Sequence, residues 1–230
     1  MLVKRRRAAT PTRAENLKLD RAAMTAMPSP RTRQRDETRE KVLDAALELI
    51  VTRGYEATSI DDIAKAASLT KGAVYFHFHS KAGVLLALLD RVEQAVVDPV
   101  DRRVRAAGPS ARDKFVVFTH QQSELGRSQT MLAILAIQTS SAFARVEGPF
   151  QERIMGIYRR LYAIIEDIVT LGQARKEFRG DINPRQIASY IIAAHDGTFL
   201  EWHRRGLELR PPEIVHAFRL LMLGALRMAE

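Results

Sequence analysis

A chain of 230 residues that is 46% hydrophobic and 27% charged can bury the core of one or two domains, and its lack of cysteine excludes disulfides and thiolate metal sites. No apolar run reaches the roughly 18 residues of a membrane helix, and no short apolar segment follows a basic start as in a signal peptide, so a soluble globular protein without a membrane partner is expected, in keeping with a reducing cytoplasm. The net charge of +9 is concentrated: residues 1–35 hold ten Lys and Arg against two acids, a net +8 that leaves +1 for the rest.

Residues 1–35 read as a basic, disordered arm, with Pro11, Pro28 and Pro30, few large side chains and little apolar periodicity. Three readings stand. Its arginines reach phosphates or a minor groove, or it is a solvated tail, or translation starts at Met24 or Met27 and much of it is never made. Arg33 and Arg35, just before the first helix, are its candidate DNA contacts. The folded part, near neutral, would bind nucleic acid through a local patch.

From Asp36 to Arg53 the pattern DETREKVLDAALELIVTR predicts a helix, with Val42, Ala46, Leu49 and Ile50 on one stripe. Gly54 closes it and Tyr55 turns the chain back. The stretch from Thr58 to Lys81, TSIDDIAKAASLTKGAVYFHFHSK, then reads as two short helices around a tight turn. Ile60, Ile63, Ala64 and Ala67 share a face of the first, and Thr58 or Ser59 caps it, each with an acid three residues on. Ser68 and Leu69 make the turn, and Thr70 caps the second helix. This is a helix-turn-helix over 59–78 whose second helix would enter a major groove, with Ile60, Ile63, Leu69 and Val74 as core.

Over roughly Thr38–Asp90 the chain resembles the N-terminal domain of TetR-family transcriptional regulators. RGYEATSIDDIAKAA, then SLTKGAVYFHF, then a Ser-Lys opening a fourth helix carry the likeness. Ser68 stands where the family commonly has glycine, which a turn accommodates at modest cost. The resemblance implies base contacts from Lys71, Gly72 and Ala73, phosphate or groove-wall contacts from Tyr75 and His77, and a phosphate contact from Lys81. Ser59, Thr70 and Phe76 complete the candidate DNA-binding set. Lysine can donate to guanine, alanine can touch a thymine methyl, and glycine permits close approach.

From Ser80 a long helix is predicted to leave a DNA-binding domain of residues 36–96 and enter a second, all-helical domain of residues 97–230, with Pro99 bending or breaking it. Further helices are expected over Ala111–Leu125, Met131–Thr139, Pro149–Phe178, Pro184–Arg205 and Pro211–Met228. The fold class is therefore all-α. By resemblance the last two helices pair with those of a second copy, and Ala194, Gly197, Phe218, Leu221, Met222 and Ala225 are the candidate homodimer interface. The helices between Ala111 and Phe178 would hold a small, mostly apolar effector, with Phe118, His120, Leu135, Gln138, Tyr158 and Tyr162 as candidate contacts.

No phosphate-loop, dinucleotide, nucleophile-elbow or metalloprotease motif is present, and neither His77 with His79 nor His195 with His203 makes a convincing metal pair. No catalytic residue, metal or cofactor is expected. The reading is a sequence-specific regulator of double-stranded operator DNA, a repressor released by its effector. A transcriptional activator of the same fold is the alternative, followed by a non-sequence-specific structural DNA-binding protein.

Overall fold

The computed structural model describes residues 29–206 and 210–227, and among them every regular element is helical. The segment 1–28, with Met24 and Met27, lies outside the described residues, as does Met228.

Helix α1 runs Pro30–Arg53, so it begins before Asp36 and residues 30–35 are not part of an irregular arm. Ser29 explains the early start. Its hydroxyl accepts the Thr32 N–H at 3.1 Å, and Pro30 fills the first helical position, where a missing N–H costs nothing. Arg33 and Arg35 therefore ride on the helix instead of preceding it. Residues from Val42 onward form one compact unit, and Val42, Leu43, Ala46 and Ile50 are buried in its core.

Gly54 ends α1 at φ 89°, the left-handed region that favours glycine. Thr58, buried, donates its hydroxyl to the Gly54 carbonyl at 2.8 Å. That leaves Ser59 as the cap of α2 (Ile60–Ala66), in a capping box with Asp62. The chain reverses through Ser68 at φ 55°, with Leu69 N–H donating to Ala64 O at 2.9 Å. Thr70 then caps α3 (Lys71–Phe78), and Ser80 caps α4 (Lys81–Val92). A Cβ on Gly83 would lie 2.1 Å from the Phe78 carbonyl oxygen, so only glycine lets α4 start this close behind α3.

Pro99, expected to bend or break the long helix, does not break it. A π turn, Glu93–Val97, comes first, with Asp98 N–H donating to Glu93 O five residues back, and α5 (Asp98–Ala106) continues from there. In a regular helix the proline ring crowds the carbonyl four residues behind and the N–H bond to it is missing; the widened turn relieves both.

Helices α6 (Ala111–Ser128), α7 (Thr130–Phe143), α8 (Pro149–Ala174), α9 (Pro184–Arg204) and α10 (Pro211–Leu226) complete the unit. Each starts near a predicted boundary. Helix α8 ends before Phe178, because the chain turns at Lys176 (φ 59°) and the Phe178 ring folds back onto Gly172, where a Cβ would meet it at 2.1 Å. Helix α8 packs on α6, α7 and α9, and α10 packs on α6. Ion pairs fix the long helix to this bundle: Arg153 pairs with Asp90 at 2.8 Å and with Glu93, while Arg160 reaches Glu93 at 2.6 Å and Asp98 at 2.8 Å.

Candidate nucleic-acid interface and effector core

Helix α3 buries Val74 and Phe78, four residues apart, against the core. The same period turns Lys71, Gly72, Tyr75 and Phe76 outward, with Phe76 64% exposed, while Ala73 and His77 are half-buried at the flanks. An exposed stripe of one cation, one glycine and two aromatics on a short, capped helix can enter a groove and offer both charge and ring faces. Lys71 Nζ donates to Asp61 Oδ2 at 2.8 Å, and that bond holds the ammonium more firmly protonated than usual.

Two of the expected contacts are otherwise engaged. Ser59 donates its N–H to Asp62 Oδ2 at 3.0 Å and its hydroxyl proton to the same oxygen at 2.5 Å, so it has no donor left for a phosphate. These two bonds lower the Asp62 pKa. The helix start that made Ser59 look available is the structure that consumes it. Lys81 donates to the Tyr55 carbonyl at 3.0 Å and lies 4.2 Å from the Tyr55 ring centre. An ammonium has three donors, so this anchorage orients Lys81 and leaves hydrogen-bonding capacity. Thr70 accepts the Ala73 N–H at 3.2 Å as the α3 cap and keeps its own proton to donate.

Tyr55 is a residue the sequence reading treated only as a turn. Its ring meets Phe143 of α7 and Phe150 of α8 edge-on, at 5.8 and 5.4 Å. Beside it, Gln138 of α7 donates to the Val51 carbonyl of α1 at 3.3 Å. Gln138 and Leu135, expected to face an effector, in fact line a small cavity of about 140 Å³ with Tyr55, Gly54 and Phe143. A larger cleft of about 360 Å³ opens between Ser110, Arg112, Glu177, Phe178, Leu223 and Arg227, and contains none of the expected residues.

Phe118 is fully buried and Tyr158 nearly so, whereas His120 is exposed. The α6 register that turns Phe115, Phe118 and Thr119 inward carries His120 outward, which removes it from any internal site. The polar groups that do converge inside come from α7, α8 and α9. Tyr158 donates to Asp196 Oδ2 at 2.7 Å, Ser140 Oγ lies 3.5 Å from the same phenol, and His195 Nδ1 is 2.9 Å from Asp196 Oδ1. Burial first, then the Asp196 charge, push the Tyr158 hydroxyl far above the ordinary phenol range, so it stays a neutral donor. Tyr162, half-buried, is shifted the same way for the same reasons. Aromatic rings close around this cluster: His195 lies 6.3 Å from Phe118 and 4.9 Å from Phe199, and Phe199 lies 6.4 Å from Trp202. The indole Nε1 of Trp202 is buried without an acceptor. Asp196 and Trp202 escaped the sequence reading; the His-Asp pair in a helix otherwise rich in apolar residues was the available signal.

On α9 and α10, Gly197 and Ala225 are exposed, Leu221 is 68% exposed, and Ala194 and Met222 are half-buried. Phe218 is different. It is buried in the core of this chain and cannot be a surface contact. Tyr190 (77% exposed) and Leu220 (58%) are the large apolar side chains that α9 and α10 leave to solvent beside Leu221. Among the described residues no helix is long and apolar enough to cross a membrane.

Residues 42–88 match the family model described as "Bacterial regulatory proteins, tetR family", and residues 135–204 match "Tetracyclin repressor-like, C-terminal domain". The HTH-type transcriptional regulator SrpR of Pseudomonas putida is 48% identical over 54 residues, which cover 24% of this chain and only 25% of SrpR. The crystal structure of the MbdR regulator from Azoarcus sp. CIB superposes with a TM-score of 0.76 at 39% identity, covering 82% of this chain and 98% of that one. The fold is also that of AibR in complex with isovaleryl coenzyme A and operator DNA, at a TM-score of 0.66 and 21% identity over 82% of this chain and 97% of that one.

Proposed function

The chain belongs to the tetR family of bacterial regulatory proteins, and from that premise we propose that it is a cytoplasmic, homodimeric repressor released from a near-palindromic operator by a small, mostly apolar effector. It is a DNA-binding transcriptional regulator and not an enzyme. The observation that carries the finer reading is the capped α3 helix, which buries Val74 and Phe78 and faces Lys71, Gly72, Tyr75 and Phe76 outward. Lys71, Gly72 and Ala73 read base edges in this proposal, and Thr70, Tyr75, His77 and Lys81 hold phosphates, with Arg33 and Arg35 adding charge from α1.

One such helix reads a single half-site, so useful specificity needs a second copy one turn of DNA away, about 34–36 Å. The exposed Tyr190 and Gly197 of α9 and Leu220, Leu221 and Ala225 of α10 support a dimer made through these two helices. The effector sits among α6 to α9, its apolar body against Phe118, Tyr162 and Phe199 and its polar end toward Tyr158, Asp196 and Trp202. AibR, of the same fold, was crystallised with isovaleryl coenzyme A, so acyl thioesters are the first ligand class to try.

The test is selection of bound fragments from genomic DNA, followed by titration of the protein–operator complex with acyl-coenzyme A esters and free aliphatic or aromatic acids. A near-palindromic site, released by one ligand from the wild type but far less from Tyr158→Ala, is expected. Equal retention of random and selected fragments would overturn the operator reading. A ligand that releases both proteins equally would move the effector site away from Tyr158.

A further inference from the structure

The small cavity between the end of α1 and α7 contains a polar group that the fold leaves unused. Ile50 and Tyr55 form one wall, and Leu135, Ala142 and Phe143 of α7 form the other. It opens to solvent past Gly54 and Ala142, both exposed. Thr139 also lines it, and is only 4% exposed. A hydroxyl on a helix ordinarily donates to the carbonyl three or four residues back, as Ser140 does to Ile137 at 2.8 Å. Thr139 makes no such bond, and among the described residues nothing pairs with its hydroxyl. A buried hydroxyl left in this way is unfavourable unless something else meets it. Its neighbour Gln138 uses its amide nitrogen on the Val51 carbonyl at 3.3 Å, so Oε1 is the acceptor it has to offer.

We propose that this cavity is a binding site, separate from the Tyr158–Asp196 cluster, for a small neutral aromatic alcohol of the size of phenol. Size sets the first limit: its volume of about 140 Å³ is close to that of the apolar cavities of about 150 Å³ that take benzene. Charge sets the second. No lining residue is charged, so a carboxylate or ammonium would lose its hydration there without a partner. The polar pair sets the third: a phenolic hydroxyl accepts from Thr139 Oγ1 and donates to Gln138 Oε1, while its ring lies against Ile50, Leu135 and Phe143. A single water meets the same two groups, but it takes up only about 30 Å³ and leaves the apolar walls unfilled. One wall belongs to the helix that leads into the helix-turn-helix and the other to the bundle, so a bound ring ties the two together.

The experiment titrates the full chain, methyl-labelled for NMR, with phenol, benzene and benzoate. Wild type, Thr139→Val and Ala142→Phe are compared. Valine keeps the shape of threonine and removes the hydroxyl, whereas phenylalanine at the exposed position 142 plugs the mouth. In wild type the Ile50, Leu135 and Ala142 methyl signals should shift together with phenol, at a Kd of about 0.1–1 mM. Benzene should bind about fivefold more weakly, the worth of one hydrogen bond, and benzoate should produce no shift at these methyls. Thr139→Val should weaken phenol about fivefold and leave benzene no weaker, so the preference disappears. Ala142→Phe should lose at least tenfold for both. No shift at these methyls up to about 10 mM phenol would overturn the proposal and leave the cavity to water. Shifts confined to buried α8 methyls such as Ile154, and kept in Ala142→Phe, would also overturn it, since phenol would then sit in the effector core. A Thr139→Val variant that loses phenol and benzene alike would do the same, because shape and not the hydroxyl would be responsible. Should Ala142→Phe melt well below wild type, the phenol-to-benzene ratio in Thr139→Val decides alone. None of these measurements uses DNA, so their outcome is independent of the operator reading.

Discussion

Replacing Tyr55 with leucine should loosen the joint between the DNA-reading helices and the bundle more than the loss of one ring in a turn suggests. Leucine keeps most of the apolar mass but not the ring. Two edge-on aromatic pairs are lost, to Phe143 and Phe150, each worth about 0.5–1.5 kcal/mol beyond the area they bury. The Lys81 ammonium over the ring contributes about 0.5–1 kcal/mol more at a partly exposed site. The sum is about 1.5–4 kcal/mol, and for a chain of this size each kcal/mol lowers Tm by about 2–4 °C, so a fall of roughly 3–16 °C is expected by calorimetry. The bond from Lys81 to the Tyr55 carbonyl is to main chain and survives. Tyr55→Phe keeps all three ring contacts and should stay within about 0.5 kcal/mol of wild type. Because Phe143 and Phe150 belong to α7 and α8, the leucine variant should also show weaker release of the operator by effector, read as a smaller shift in operator affinity at saturating ligand. A leucine variant that melts with the wild type, or a phenylalanine variant that melts as low as leucine, would refute the reasoning.

Three further outcomes are expected. Ser68→Gly should stabilise the protein by about 1 kcal/mol in chemical denaturation, because Ser68 sits at φ 55°, where a side chain costs about 1–2 kcal/mol and glycine gives part of that back in chain entropy. Glu93→Gln should cost about 1–2 kcal/mol at neutral pH, since Arg153 and Arg160 lose their shared partner. The Arg160 bond, with Arg153, lowers the Glu93 pKa, so its contribution is complete above the unfolded value near 4.3 and disappears as pH falls through the lower folded value. The glutamine variant should accordingly lose less stability than wild type on acidification below about pH 4.5, in urea titrations at several pH values. Leu221→Arg, at an exposed apolar position on α10, should shift the protein toward monomer in sedimentation velocity without lowering monomer stability by more than about 0.5 kcal/mol.

The helix-turn-helix was legible because its signals are local. Ser59 with Asp62, Thr70 before α3 and Gly54 after α1 each act within a few residues, and the structure has all of them. Ser29 and Pro30 were just as local, but they stood in a segment judged by its charge, and the helix start was missed. Phe218 and His120 were misplaced for another reason. Apolar spacing gives a face, not the neighbour that covers it, and a residue one position along can fall on the other side, as His120 does beside Thr119. The convergence of Tyr158 with Asp196 spans two helices and has no signature in either. The engagement of Lys81 by Tyr55 likewise joins residues 26 apart, a distance no periodicity covers.

The wide turn at Glu93–Val97 also sets where this protein can be spliced. Val92, Val96, Val100 and Val104 are all buried, four residues apart. In an ordinary helix each such step overshoots a full turn by about 40°, so three steps would carry the stripe about 120° around the cylinder. One broadened turn absorbs most of that drift and keeps the valines in phase. A hybrid that sets the DNA-reading helices of this chain on another regulator's core must therefore import the turn whole, with its junction before Glu93 or after Val97. A seam that drops a single residue from the regular helix before it would rotate everything downstream by about 100°, turning Asp98 and Asp101 away from Arg160, and the two halves, each well folded, would no longer move as one.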